Sequence, residues 1–108
     1  MLNSKQRAFL RSRANSIQPI FQVGKGSVSD AMCRSVGDAL EARELVKISV
    51  LENAADTARD VADRLAEDTG ADVVAVIGRK IILYRPSSKE KNRTVSPEVA
   101  KIRPGKTE

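Results

Sequence analysis

At 108 residues, with 41% apolar and 31% charged side chains, the chain has room for one domain that buries roughly 60–65% of its unfolded surface. Histidine is absent and Cys33 is the one cysteine, which removes the most common general base, cysteine-rich zinc sites and any internal disulfide. The net charge of +5 favours polyanionic partners over basic ones.

Ser4 is placed to cap a first helix over Lys5 to about Ala14. Phe9 and Leu10 then point inward, and Lys5, Arg7, Arg11 and Arg13 outward. Pro19 ends that pattern, and Ile20–Val23 predicts a first strand. A second helix is expected over Asp30–Arg43, with Val28, Met32, Val36 and Leu40 at helical spacing. Ser29 is its expected N-cap, with Ser27 as the alternative. Leu45–Leu51 alternates as a strand, and Asn53 is placed to cap a third helix over about 54–69, which Gly70 stops. That helix has an apolar stripe of Ala58, Val61, Ala62 and Leu65 and an acidic outer face. Two further strands, Asp72–Ile77 and Ile81–Arg85, are joined through Gly78-Arg79-Lys80. From residue 86 onward, three prolines and repeated lysine and arginine predict a basic flexible tail, set here at 88–108.

The expected fold class is α/β, a compact two-layer sandwich of a four-stranded mixed sheet and three helices in the order α-β-α-β-α-β-β. No apolar run approaches the roughly 20 residues that span a bilayer, and no leader pattern opens the chain. The expectation is therefore a cytoplasmic protein.

Charge is segregated along the chain. Residues 1–29 hold five bases and no acids, 30–78 five bases and eleven acids, and 79–108 nine bases and three acids. Two basic ends that meet in the fold would attract nucleic acid by steering and counterion release. Between the first strand and second helix lies Gly24-Lys25-Gly26-Ser27. Glycines allow a ligand to approach the backbone closely, and the following helix start favours phosphate. The spacing is neither a nucleotide P-loop nor a dinucleotide fingerprint. Only Phe9, Phe21 and Tyr84 are aromatic, so recognition should rest on phosphates, sugars and shape rather than on stacking platforms.

Several segments together resemble the CRM domain (chloroplast RNA splicing and ribosome maturation). At the start these are Lys5-Gln6-Arg7, Leu10-Arg11, Ala14, Pro19, Val23-Gly24-Lys25-Gly26 and Asp30-Ala31. Later come Glu44-Leu45-Val46-Lys47, Val76-Ile77-Gly78-Arg79 and Leu83-Tyr84-Arg85-Pro86. The pattern is most similar to the stand-alone bacterial YhbY-type members and covers a domain of residues 1–87. The resemblance implies a fold akin to the C-terminal domain of translation initiation factor 3. It also implies RNA binding, with association to ribosomal RNA in precursors of the large ribosomal subunit. The family's G-K-x-G loop falls on Gly24, Lys25, Gly26 and Ser27, with serine in place of the last glycine. If that position requires a positive φ, Ser27 is strained by roughly 1–2 kcal/mol; if not, its hydroxyl is free to serve a phosphate or the helix.

The expected RNA-binding set is thus Gly24, Lys25, Gly26, Ser27, Lys5, Arg7, Arg11, Arg13, Arg79 and Lys80. No catalytic residue, cofactor, metal, membrane or small-molecule substrate is expected, and the protein should act as a monomer. Two other readings stay open: a basic protein that coats DNA nonspecifically, and a protein-binding adaptor on assembling ribosomes that uses the acidic third helix.

Overall fold

The computed structural model describes residues 2–26 and 28–102. In chain order the elements are α1 (Ser4–Ala14), β1 (Phe21–Val23), α2 (Asp30–Arg43), β2 (Leu45–Val50), α3 (Ala58–Thr69), β3 (Asp72–Ile77) and β4 (Lys80–Tyr84). A 3-10 turn (Glu90–Asn92) and a short helix α4 (Ser96–Lys101) follow. The strands form one mixed sheet in the order β1-β2-β4-β3. β1 runs parallel to β2, as a crossover through α2 requires, and the other pairs are antiparallel.

Helix boundaries follow their caps. Asn3, not Ser4, caps α1: it forms a capping box with Gln6, in which each side chain accepts from the other residue's backbone N–H. Ser29 caps α2 by accepting from the Met32 amide at 3.1 Å, as expected. The third helix starts later than expected because Thr57, rather than Asn53, accepts from the Asp60 amide. Residues 51–54 turn instead, with the Ala54 amide bonded to the Leu51 carbonyl. Gly70 ends α3 with φ +75°, a conformation that costs an L side chain about 1 kcal/mol.

Strand alternation sends apolar side chains to both faces of the sheet, so there are two cores. On one face Val46, Ile48, Val50, Ile81 and Leu83 meet Val36 and Leu40 of α2 and Val61 and Leu65 of α3. On the other, Leu45, Ile82, Tyr84 and Val74 meet Leu10 and Ala14 of α1 and Val95 and Val99. Each of these large aliphatic side chains contributes roughly 1.5–3 kcal/mol on full burial. Helices therefore cover both faces, where two layers are expected; the mixed four-stranded sheet and compact α/β character are as anticipated. A register shift between Val73 and Ala75 puts both Val74 and Ala75 on the α1 side.

The segment expected as a tail from residue 88 is folded over its described part. Its anchor is Glu44, the cap residue after α2, which is fully buried and has φ 68°. The Glu44 carboxylate accepts from the backbone amides of Ser87 (2.8 Å), Val95 (2.9 Å) and Ser96 (3.0 Å), and from the Ser96 hydroxyl. Gln6 donates to the Val99 carbonyl at 3.1 Å, so α1 and α4 close over the second core together. The last part of the expected tail, 103–108, lies outside the described residues.

Candidate nucleic-acid interface

Three chain connections meet at one end of the sheet. β1 leaves it at Val23, which aligns with Val50, and the Leu51 amide bonds to the Val23 carbonyl at 2.8 Å. On the other side of β2, the Val50 amide bonds to the Arg79 carbonyl at 2.8 Å. The Gly24–Gly26 loop and the Gly78–Arg79 turn are thereby brought to the same edge, with Lys25 and Arg79 both exposed. Gly78 has φ +58°, which makes glycine the favoured residue of this tight turn.

The loop glycines are not there for conformation. Neither Gly24 nor Gly26 adopts a positive φ, and a Cβ added at Gly26 would meet nothing within 4 Å. At Gly24 it would make ordinary contact, 3.6 Å from Leu51 Cδ1. Among the described residues nothing demands glycine at position 26, and its backbone is open to close approach from outside. Downstream, α2 begins at the capped Ser29, so its positive end faces the loop. Arg64 of α3 fixes that start: it donates to the Val28 carbonyl at 3.1 Å and pairs with Asp30 at 3.1 Å and Asp68 at 3.3 Å. Ser27 lies outside the described residues.

A row of side chains crosses the sheet beside this edge. Register aligns Gln22 with Ser49, Ser49 with Lys80, and Lys80 with Ile77. The row lies on the α1 face but belongs to neither apolar core, and Gln22, Lys80 and Ile77 are exposed. Lys80 Nζ donates to Ser49 Oγ at 3.2 Å, which holds the ammonium over the sheet. The next row inward starts with Lys47.

α1 divides its cations. Gln6 and Arg13 lie on the flank toward α4, where Arg13 pairs with Glu98 at 2.7 Å and stands 6.0 Å from the Phe9 ring centre. Arg7 and Arg11, one turn apart, fall on the other flank, toward the Gln22–Ile77 row. Lys5 is exposed between the two flanks. Lys25, Arg79, Lys80, Arg7 and Arg11 are thus gathered at one side of the protein, while Arg13 is diverted to an internal partner. None of Lys5, Arg7, Arg11, Lys25, Arg79 and Lys80 forms an ion pair within 4 Å among the described residues. Arg43 and Lys47, which likewise form no ion pair within 4 Å among the described residues, were not singled out by the sequence. Lys47 has a readable signal, a lysine among the alternating apolar residues of β2; Arg43 has none beyond its place at a helix end.

Burial pushes the Cys33 thiol up, reinforced by its 3.1 Å hydrogen bond to Asp68. Among the described residues no group of three acidic or cysteine side chains could hold a metal ion, and no helix is long and apolar enough to cross a membrane.

Comparison with known proteins identifies the family. The CRS1 / YhbY (CRM) domain model matches residues 2–85, and the chain belongs to that family. It is 48% identical over 91 residues to "Probable RNA-binding protein YqeI" of Bacillus subtilis, covering 84% of this chain and 95% of that one. It is also 33% identical over 87 residues to "Probable RNA-binding protein MJ0652" of Methanocaldococcus jannaschii, covering 79% of this chain and 64% of that one. Among solved structures, the solution structure of SAV1595 from Staphylococcus aureus superposes with a TM-score of 0.71 at 44% identity, covering 83% of this chain and 94% of that one.

Proposed function

We propose that this protein is a non-catalytic RNA-binding protein that associates with ribosomal RNA in precursors of the large ribosomal subunit. The observation that carries the reading is the cluster of unpaired cations at one sheet edge, set beside a loop whose glycines serve no internal need. Lys25 and the loop amides hold phosphates, and Arg79 and Lys80 extend the contact across the sheet. Arg7 and Arg11 continue it along α1. Arg13 is a reserve cation, because its pair with Glu98 is half exposed and therefore weak. The Bacillus subtilis relative named for RNA binding is matched over 95% of its own length, which supports RNA over other polyanions.

The reading is tested by salt titration of binding to a folded large-subunit ribosomal RNA fragment, with duplex DNA at matched salt as competitor. Lys25→Ala should weaken RNA binding and lower the slope of log affinity against log salt by about one. An unchanged slope removes the loop from the mechanism, and preference for DNA overturns the assignment of RNA.

A further inference from the structure

A cavity of about 430 Å³ opens between the end of α1, the approach to β1 and the residues just before α4. Ile17, Ile20 and Val95 give it an apolar lining, and Arg13, Arg43 and Lys47 stand around it. Neither aspartate nor glutamate lines it. Its volume lies in the roughly 300–1,000 Å³ range of small-ligand sites. An apolar lining ringed by cations suits a flat, weakly polar body that carries an anion.

Two features narrow the occupant. β1 pairs with β2 only from Phe21 and Ile48 onward, beyond a single bond from the Ile20 amide to the Lys47 carbonyl. The β1 side of Leu45–Lys47 therefore has no strand partner, and its backbone groups are placed to hydrogen-bond the edge of a base. The cavity is also continuous with the interface already described, since Lys47 sits two residues along β2 from the Ser49–Lys80 pair. Arg13 can exchange Glu98 for a phosphate at little cost, both side chains being nearly half exposed.

We infer that this cavity takes one unstacked nucleotide of a single-stranded RNA segment, with the base against Ile17 and Ile20 and its phosphate between Arg43 and Lys47. The inference rests on the RNA-binding reading above and deepens it: the loop edge holds folded RNA by its backbone, and the cavity reads an adjoining unpaired nucleotide. The sequence hides the site because one wall, Thr94–Val95, belongs to the segment expected to be a tail.

The test compares two RNA hairpins of identical stem, one blunt and one with a short overhang containing 4-thiouridine, binding to the full chain. In a variant combining Arg43→Ala and Lys47→Ala, affinity for the overhang hairpin should fall about tenfold, as for lost charge-assisted contacts. Affinity for the blunt hairpin should fall several-fold less, because its contacts lie at the loop edge. Photocrosslinks from the overhang should map to residues 17–20 or 94–95. Uridine 5′-monophosphate should shift the Ile20 and Lys47 amides more than inorganic phosphate at equal concentration. Equal losses on both hairpins, crosslinks confined to other segments, or the same amides answering only to an extended acidic peptide each overturn the inference. Those outcomes leave RNA binding standing, whereas failure of the unmodified chain to bind either hairpin overturns both readings.

Discussion

At the Glu44 end of the sheet, a fully buried carboxylate is surrounded by three backbone amides and a hydroxyl of the same chain. At the Lys25 end, exposed cations have no acidic partner within 4 Å among the described residues. One end uses charge to hold the protein to itself, and the other leaves charge available to something else. Burying a carboxylate is unfavourable unless it is fully hydrogen-bonded, so the first end must be well determined. Solvated cations cost little and wait for a polyanion. Stability and binding should therefore respond to mutation at different ends.

The largest expected effect tests the Glu44 end. Glu44→Ala should destabilise the protein by roughly 3 kcal/mol in urea unfolding, because several charge-assisted hydrogen bonds are lost together. Glu44→Gly loses the same bonds but relieves the positive φ, so it should be about 1 kcal/mol more stable than the alanine variant. Both should bind RNA near the native affinity at temperatures where they remain folded; a large affinity loss there would erase the division between the two ends. Acid sharpens the same point. Burial raises the Glu44 pKa, but hydrogen bonds from Ser96, Ser87 and Val95 outweigh it and hold the carboxyl below its ordinary 4.5. The unfolded chain then binds more protons, so this stability is present above about pH 4.5 and lost as pH falls through the lower folded value. Urea midpoints measured downward from pH 5 should drop less steeply for Glu44→Gln than for the native chain.

An intermediate effect is expected at the other end. Gly78→Ala places a Cβ at φ +58° and should cost about 1 kcal/mol of stability. Because no atom lies within 4 Å of that Cβ, the turn need not move, and RNA affinity should change less than twofold. A larger affinity loss at unchanged salt slope would show that turn geometry, rather than charge alone, is read by the RNA.

The smallest stability effect is expected at Arg64, which ties α3 to the start of α2. Its ion pairs are exposed, so Arg64→Ala should cost about 0.5 kcal/mol or less. Its bond to the Val28 carbonyl fixes the start of α2 behind the loop, so RNA affinity should fall by about threefold. Affinity unchanged from the native value would mean that the loop needs no such brace.

Much of the framework was legible where a local pattern coincides with burial. The stripe Val36–Leu40 on α2 and Val61–Leu65 on α3, the alternation of β2 and the stop at Gly70 all read directly. Caps were less secure because several candidates stood close together: Asn3 beside Ser4, and Asn53 ahead of Thr57. The capping box from Asn3 to Gln6 was available as a signal and decides the first case. The folded segment after Ser87 was not legible. Its few apolar residues, Val95, Val99, Ala100 and Ile102, are scattered among charges, and its main anchor is an acid more than 40 residues upstream. For the interface, Lys25, Arg79 and Lys80 were readable because short turns place them. The pairing of Arg13 with Glu98, 85 residues away, has no local signature. The cavity beside Lys47 depends on the same distant docking and was equally hidden.

The clasp of α1 by α4 also bears on how the protein is made. α1 leaves the ribosome first, yet Leu10 and Ala14 find their buried neighbours in β2, β4 and the residues around Val95 and Val99. The opposite core draws on residues from Phe21 to Leu83, so it can assemble before the segment around Val95 and Val99 has emerged. During that interval the first helix must wait with part of its oily side uncovered, and the clasp closes only once Val95 and Val99 have emerged.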